Sequence, residues 1–161
     1  MRRQDVLRLH IVNPNTTASM TQGIAEAARR VAAPDVTITA TEPEFGPASI
    51  EGFYDGAFAV PGMLVRMAQA EKLGCDAHLI ACFDDTGLDA ARSAAFAPVI
   101  GVGEAAFHIA SLMGVRFSVV TTLSRSIPVI EENLARYGLD RRCARVRASE
   151  VPVLSLEQDP E

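Results

Sequence analysis

Short strand-like runs of apolar residues alternate along this chain with longer runs of helical period. The predicted strands are 6–12, 36–40, 77–82, 98–102, 117–121 and, more weakly, 144–148. Between them, apolar residues recur every three or four positions, as in helices that pack one face on a sheet. Strands joined by helices pair in parallel, with both sheet faces covered. The pattern therefore predicts a doubly wound α/β fold.

One long connection interrupts this alternation. The segment from Thr41 to about Gly56 is rich in proline, glycine and glutamate and has no periodic apolar positions. Long connections in compact domains are often functional, so we expect this one to border a site.

Composition narrows the class of protein. The chain has 161 residues, of which 48% are hydrophobic, so one domain with a substantial core is the default expectation. The net charge of −5 comes from interspersed acidic and basic residues, which argues against a nucleic-acid partner. No apolar run approaches the length of a membrane span. Three cysteines at wide spacings suggest neither disulfides nor a zinc motif, and a cytoplasmic location fits best.

Two common nucleotide-binding motifs are missing from this α/β pattern. No Gly-x-Gly-x-x-Gly follows the first strand, and no Walker lysine motif occurs. Gly101-Val-Gly103 reads as a tight turn with close helix packing. No cofactor is predicted. The three histidines (His10, His78 and His108) read as structural, and no metal site is predicted.

Cys82 is the leading candidate for chemistry. It ends an apolar strand and is followed by the polar turn Phe83–Gly87 and a helix. Ligands of parallel sheets bind beyond the carboxyl ends of strands, so this thiol faces the expected pocket. The helix N-terminus would favour a thiolate, whereas Asp84 and Asp85 would oppose it, and the sequence leaves that balance open. A buried structural cysteine is an equal alternative on these residues alone.

Five segments taken together resemble a known family. They are Asn13–Thr16, Gly46–Glu51, Ala81–Arg92, Gly101–Ala105 and Val119–Thr122. In this order they are similar to the aspartate/glutamate/hydantoin racemase superfamily, and most of all to its hydantoin and allantoin racemase branch. The resemblance implies two similar α/β domains with a cofactor-independent site between them. Residues 1–113 would form the first domain, with Cys82, and residues 114–161 would begin an apparently incomplete second one.

The resemblance also implies a two-base racemisation of a small molecule, in which one cysteine removes a proton and another returns one. Cys82 matches the first cysteine. The second belongs to a Gly-Cys motif that has no counterpart here, because Cys143 comes too early and lacks the glycine. We expect a fragment or shortened product of a longer racemase, or else a short relative that has lost two-base catalysis.

Further residues are predicted to bind substrate. Asn13 resembles the family's polar contact to the substrate, although a helix-capping or turn asparagine is an equal alternative. Thr121 and Thr122 end a strand and would donate hydrogen bonds across the cleft, or they only reflect strand propensity. Backbone donors from Phe83 to Thr86, with Asp84 between them, would stabilise a developing enolate. We also expect a homo-oligomer.

Two other functions stay open at this point. One is a relative that lacks the second base: either it supports proton exchange or a one-thiol reaction with a single cysteine, or it is a binding or assembly module that keeps the cleft and has lost turnover. The other is an amino-acid racemase acting on aspartate or glutamate. Phe83 argues against the latter, because the amino-acid branch usually has Asn-Thr after this cysteine.

Overall fold

The computed structural model describes residues 6–158. The strands are β1 (Leu7–Val12), β2 (Val36–Thr41), β3 (Ala77–Ile80), β4 (Val99–Gly101), β5 (Phe117–Thr121) and β6 (Cys143–Ala148). The helices are α1 (Ala18–Val31), α2 (Phe53–Lys72), α3 (Leu88–Ala94), α4 (Val102–Met113), α5 (Ile127–Arg136) and α6 (Val153–Gln158). A 3₁₀ turn at Ser124–Ser126 leads into α5.

The strands form two parallel sheets. The first has the order β2-β1-β3-β4, and the second pairs β5 with β6. Strands and helices alternate throughout, which confirms the predicted α/β class. In the first sheet Val12 lies opposite Ile80, so β1 and β3 end side by side.

The first sheet has a core that explains its near-continuous apolar strands. Val12 and Ile80 pack against Met63 and Met67 of α2 and Leu88 of α3. The consecutive residues His10, Ile11 and Val12 are all buried, so both faces of β1 are covered. This is the pattern expected of a central parallel strand.

A second core lies against β5 and β6. It contains Phe107 of α4, Val119 of β5, and Ile130 and Leu134 of α5. Tyr137 packs against both this cluster and the first one. The proposed division of the chain at residue 113 stays a prediction, although α4 already contributes to the second core.

Three predicted boundaries are wrong. The long connection ends earlier than Gly56, because α2 begins at Phe53 and Gly56 N–H already donates to Gly52 O at 3.0 Å. Strand β3 ends at Ile80, so Cys82 lies in the following turn rather than in the ladder. Helix α4 begins at Val102, a residue that the sequence pattern assigned to the strand 98–102.

Within residues 6–158, no helix combines the length and apolar character needed to cross a membrane.

Candidate active site

The Cys82 thiol lies in a tight turn between β3 and α3. The turn is closed by a hydrogen bond of 2.9 Å from Asp85 N–H to Cys82 O. Cys82 is partly buried and packs against the first core, while its Sγ lies 3.3 Å from Thr86 Oγ1. The side chain thus has apolar contacts on one side and a hydroxyl partner on the other.

Burial decides the protonation state of this thiol. It raises the pKa of Cys82 to about 11, and the negative charge of Asp84 acts in the same direction. The Thr86 hydroxyl and the backbone N–H groups of Asp84 and Thr86 favour the thiolate, but they do not outweigh burial. At pH 7 only about one molecule in 10⁴ therefore carries a thiolate. The sequence left open whether Cys82 is a thiol or a thiolate, and in this structure it is a neutral thiol.

Asp84 is a buried carboxyl group with an incomplete set of partners. It is 9% exposed, and burial raises its pKa to about 6, with the charge of Asp85 adding and a hydrogen bond with Ser126 opposing. Among the buried polar side-chain atoms of the described part of the chain, Asp84 Oδ2 has no hydrogen-bond partner. The Asp84 backbone carbonyl accepts a 2.8 Å bond from Asn133 Nδ2. The turn is therefore tied to α5.

Asp85 is the most heavily bonded side chain of the turn, and the sequence did not single it out as a site residue. Its Oδ1 accepts from Gly103 N–H at 2.9 Å, and its Oδ2 accepts from Glu104 N–H at 2.7 Å and from the Tyr137 hydroxyl at 2.8 Å. The two amides are the free donors of the first turn of α4. This capping explains why α4 begins at Val102.

Gly101, at the end of β4, and Gly103, in the first turn of α4, are needed for this approach. A Cβ on Gly101 would overlap the Asp85 carboxylate, and one on Gly103 would overlap the Phe83 carbonyl. The Gly-Val-Gly pattern therefore marks a close contact with the thiol turn. It was the one sequence signal that could have pointed to Asp85.

Asn13 is held by its own turn. Its Nδ2 donates to Asn15 Oδ1 at 2.9 Å and to Thr21 Oγ1 at 3.1 Å, and its Oδ1 accepts from Asn15 N–H at 3.2 Å. Asn13 is also 1% exposed. These contacts are those of a turn asparagine and not of a helix cap, because the α1 N-terminus has no side-chain cap hydrogen bond. The substrate contact stays a prediction that would need the amide to exchange partners.

The remaining predicted residues lie in two places, Phe83 in the thiol turn and Thr121 and Thr122 at the end of β5. Phe83 is partly exposed and meets Phe107 edge-on, with ring centroids 5.2 Å apart. Thr121 is the last residue of β5 and Thr122 follows it, and the carbonyls of both accept hydrogen bonds from Ser149. Cys82, Phe83, Asp84 and Thr86 thus lie together because they share one turn. The two threonines bond Ser149 just after β6, and they do not line the cavity beside this turn.

A second link between the two parts of the chain runs through Glu51, at the end of the long connection. Its carboxylate pairs with Arg125 and accepts a 2.9 Å bond from Val153 N–H. Glu51 is buried, whereas Arg125 is mostly exposed. Arg125 therefore has a carboxylate partner within the chain.

A cavity of about 270 Å³ lies beside the thiol turn. It is lined by the start of α2, residues 84–90 and one face of α5, including Asn133 and Arg136. Of the residues that the structure describes, those lining this cavity include Asp84 and Thr86 but not Cys82.

The histidines take part in structural contacts. His10 Nδ1 and His78 Nδ1 are 2.9 Å apart in the first sheet, and His10 Nε2 lies 2.8 Å from Thr41 Oγ1. No group of three or more histidine, cysteine, aspartate or glutamate side chains within residues 6–158 is arranged to hold a metal ion.

The chain is similar to known racemases over nearly its whole length. The family model described as Asp/Glu/Hydantoin racemase matches residues 9–161. A hydantoin racemase of Rhizobium meliloti is 50% identical over 155 residues, which are 96% of this chain and 64% of that protein. A hydantoin racemase of Pseudomonas sp. (strain NS671) is 41% identical over 96% of this chain and 62% of that protein.

A solved structure agrees with these sequence matches. The allantoin racemase from Klebsiella pneumoniae superimposes with a TM-score of 0.92 at 46% identity, covering 94% of this chain and 62% of that one. The chain therefore spans somewhat less than two thirds of the length of these relatives. The order of its elements, the thiol turn after β3 and these matches together place it: the chain belongs to the Asp/Glu/hydantoin racemase family.

Proposed function

We propose that this chain takes part in the cofactor-independent racemisation of a small molecule, a 5-substituted hydantoin or allantoin, with Cys82 as one acid/base group. The similarity to hydantoin and allantoin racemases supports the reaction. The observation that carries the residue assignment is the partly buried Cys82 thiol, which lies in the turn just beyond β3 and beside the Thr86 hydroxyl.

The reaction moves one proton off a stereocentre and one back on. The C–H bond beside a carbonyl breaks, its proton goes to a cysteine sulfur, and its electron pair is delocalised onto the carbonyl oxygen as an enolate. A proton then returns to the opposite face, so no electrons leave the substrate. Backbone N–H groups of the turn from Phe83 to Thr86 are suited to stabilise the enolate oxygen, because fixed dipoles need no reorganisation.

The raised pKa of Cys82 gives this thiol a defined part in the cycle. A sulfur with a pKa of about 11 is protonated at neutral pH, so it first serves as the proton donor. Once ionised it is a strong base, which suits removal of a weakly acidic C–H proton. For the enantiomer that Cys82 deprotonates, we expect kcat/KM to rise with pH across the neutral and alkaline range.

Substrate contacts form the next part of the proposal. Asp84 Oδ2 lacks a donor, and a ring N–H of a hydantoin would supply one. Asn13, Thr121 and Thr122 would then contact the polar edge of the ring from the ends of β1 and β5. Because the chain spans under two thirds of its relatives, we propose that the second acid/base comes from the remaining third in the whole protein.

Three coarser properties accompany this function. We propose that residues 1–113 and 114–161 belong to two different domains of the whole protein, that the protein is cytoplasmic, and that it forms a homo-oligomer. Analytical ultracentrifugation of the chain would test the last point, and a single monomeric species would contradict it.

Hydrogen exchange at the stereocentre tests the assignment of Cys82. One enantiomer of allantoin or of a 5-substituted hydantoin is incubated with the chain in deuterated buffer, and loss of the C–H signal is followed by NMR beside optical rotation. We expect exchange above the buffer blank, reduced about 10²- to 10³-fold by Cys82→Ser. The matched variants Cys75→Ser and Cys143→Ser should stay within about twofold of the original chain.

The stereochemical course separates one thiol from two. Exchange with inversion requires a second acid on the opposite face, whereas exchange with retention means that Cys82 acts alone. Full exchange activity in Cys82→Ser would overturn the residue assignment. Calorimetric binding of these ligands without exchange would instead identify a catalytically silent binding module, and exchange of free aspartate or glutamate alone would identify an amino-acid racemase.

A further inference from the structure

We propose that Tyr137 is a positioning residue for the Cys82 turn, acting through Asp85. This inference deepens the proposed function and rests on it for its catalytic part. Tyr137 follows α5, 55 positions after Cys82, and nothing in the spacing of the sequence pairs the two. The connection is made by a hydrogen bond of 2.8 Å from the phenol to Asp85 Oδ2.

The turn holds a backbone strain that must be balanced by contacts. Asp85 has φ of +48°, a left-handed conformation that a residue with a Cβ seldom adopts. Strained residues of this kind persist only where the surroundings over-determine them, and they cluster at functional sites. Here three hydrogen bonds to the Asp85 carboxylate hold this conformation in place. Two come from amides at the start of α4 and one from Tyr137.

Tyr137 connects the second core to the thiol turn. Its ring packs against both hydrophobic clusters, so its hydroxyl is fixed by both. Burial, with the hydrogen bond and charge of Asp85 adding, raises the pKa of the phenol, which therefore stays protonated and donates.

Other residues of α5 reach the same turn. Asn133 donates to the Asp84 carbonyl at 2.8 Å, and Ser126, just before the helix, bonds the Asp84 carboxyl. The spacing of Ser126, Asn133 and Tyr137 puts them on one face of the helix. Burial is the main cause of the raised pKa of Cys82, and the charge of Asp84 adds to it. The helix face therefore controls both the position and the electrostatic surroundings of the thiol.

Tyr137→Phe removes the hydroxyl and keeps the ring, and thiol alkylation measures the result. Iodoacetamide labelling is followed cysteine by cysteine by peptide mass spectrometry, under conditions where all variants are folded. We expect Cys82 to react about five- to tenfold faster, because the turn opens more often. Cys75, in the same molecule and beyond the other end of β3, should change less than twofold and is the internal control.

Two further measurements separate positioning from loss of stability. Tyr54→Phe removes a hydroxyl that belongs to a side chain 75% exposed, and it should leave both thiols unchanged. In the exchange assay, Tyr137→Phe should lower kcat about tenfold with KM unchanged, since misplacement of a reacting group affects the chemical step.

Each result bears on the proposal. Faster labelling of Cys82 alone supports it. Parallel acceleration of Cys75 and Cys82 indicates global loosening and overturns it, as does an unchanged or slower Cys82. If the unmodified chain exchanges no substrate, the proposed function fails, while the labelling result still decides whether Tyr137 positions the turn.

Discussion

Strand β3 has a cysteine beyond each end. The two thiols are both partly buried and have a similar neighbouring charge, but different hydrogen-bonding partners. Cys75 lies two residues before Ala77, and Cys82 lies two residues after Ile80. Burial raises the pKa of both, and a neighbouring carboxylate adds to it: Glu71 for Cys75, Asp84 for Cys82. Protonation state therefore does not distinguish the two thiols.

The hydrogen-bonding partners of the two thiols distinguish them. Cys75 Sγ lies 3.4 Å from His78 Nε2, which looks like the thiol–imidazole pair of a nucleophilic enzyme. His78 Nε2 also faces Glu71 Oε1 at 3.6 Å, and an ionised carboxylate requires a donor. We infer that Nε2 carries the proton, so that His78 Nδ1 accepts from His10 and His10 Nε2 accepts from Thr41. His78 is then a donor toward Cys75 and not a base.

Tertiary contacts differ as well. The Cys75 end is held within its own sheet, by Asp76, whose carboxylate accepts from Arg8 N–H at 2.7 Å. The Cys82 end is held by α4 and α5, which belong to the second core. The imidazole beside Cys75 is thus not placed to act as a base toward it, which leaves Cys82, at the junction of two cores, as the candidate for chemistry.

Glycine substitutions at the two ends should give the largest difference. In Gly103→Ala the new methyl group overlaps the Phe83 carbonyl and lies 2.8 Å from Asp85 Oδ2, so backbone must move. We expect a loss of about 3 kcal/mol in the free energy of unfolding. Gly74→Ala meets only the flexible end of Arg8, at 2.7 Å, and has φ of +86°, which predicts about 1 kcal/mol.

Urea unfolding of both variants checks this order. Equal losses, or a larger loss for Gly74→Ala, would mean that the Cys82 end is no more tightly determined than the Cys75 end.

The buried His10, which contacts His78 near the Cys75 end of β3, should make the free energy of unfolding depend on pH. Burial, together with the charge of His78, lowers the pKa of His10 from 6.5 to about 4. The unfolded chain therefore binds more protons between these values, and the stabilisation is present above about pH 6.5 and lost as the pH falls toward 4. We expect a difference on the order of 2 to 3 kcal/mol across this range.

His10→Gln should flatten the curve of unfolding free energy against pH in this window, whereas the exposed His108→Gln should keep the original slope. The raised pKa of Asp84 has the opposite sign, because its contribution is lost as the pH rises toward 6. That contribution is common to all three proteins and cancels in the comparison. An unchanged slope in His10→Gln would show that the buried pair does not titrate as described.

Removing the carboxylate charge beside one thiol should change the alkylation rate of that thiol alone. This is the smallest of the expected effects. Asp84→Asn keeps the shape of the side chain and removes the charge beside Cys82, so alkylation of Cys82 at pH 8 should accelerate about three- to tenfold. Glu71→Gln should do the same for Cys75 only. Acceleration of both thiols by either variant would refute the separate electrostatic control of the two ends.

Much of the fold was readable from the sequence because it depends on local periodicity. The strands at 36–40 and 117–121 follow from apolar spacing within about ten residues. The start of α4 was missed because its first amides are capped by Asp85, which is 18 positions away from Gly103. The end of β3 was missed because apolar Ala81 extends the run, while the turn has already left the ladder.

The sequence by itself determined the α/β alternation, the parallel pairing and the candidacy of Cys82, since these follow from periodicity and from the resemblance of ordered motifs. Only the tertiary structure decided that Cys82 is a neutral thiol, that Asn13 bonds its own turn, and that Asp85 and Tyr137 join the two cores. These properties depend on burial and on contacts between residues up to 52 positions apart, which no local pattern records.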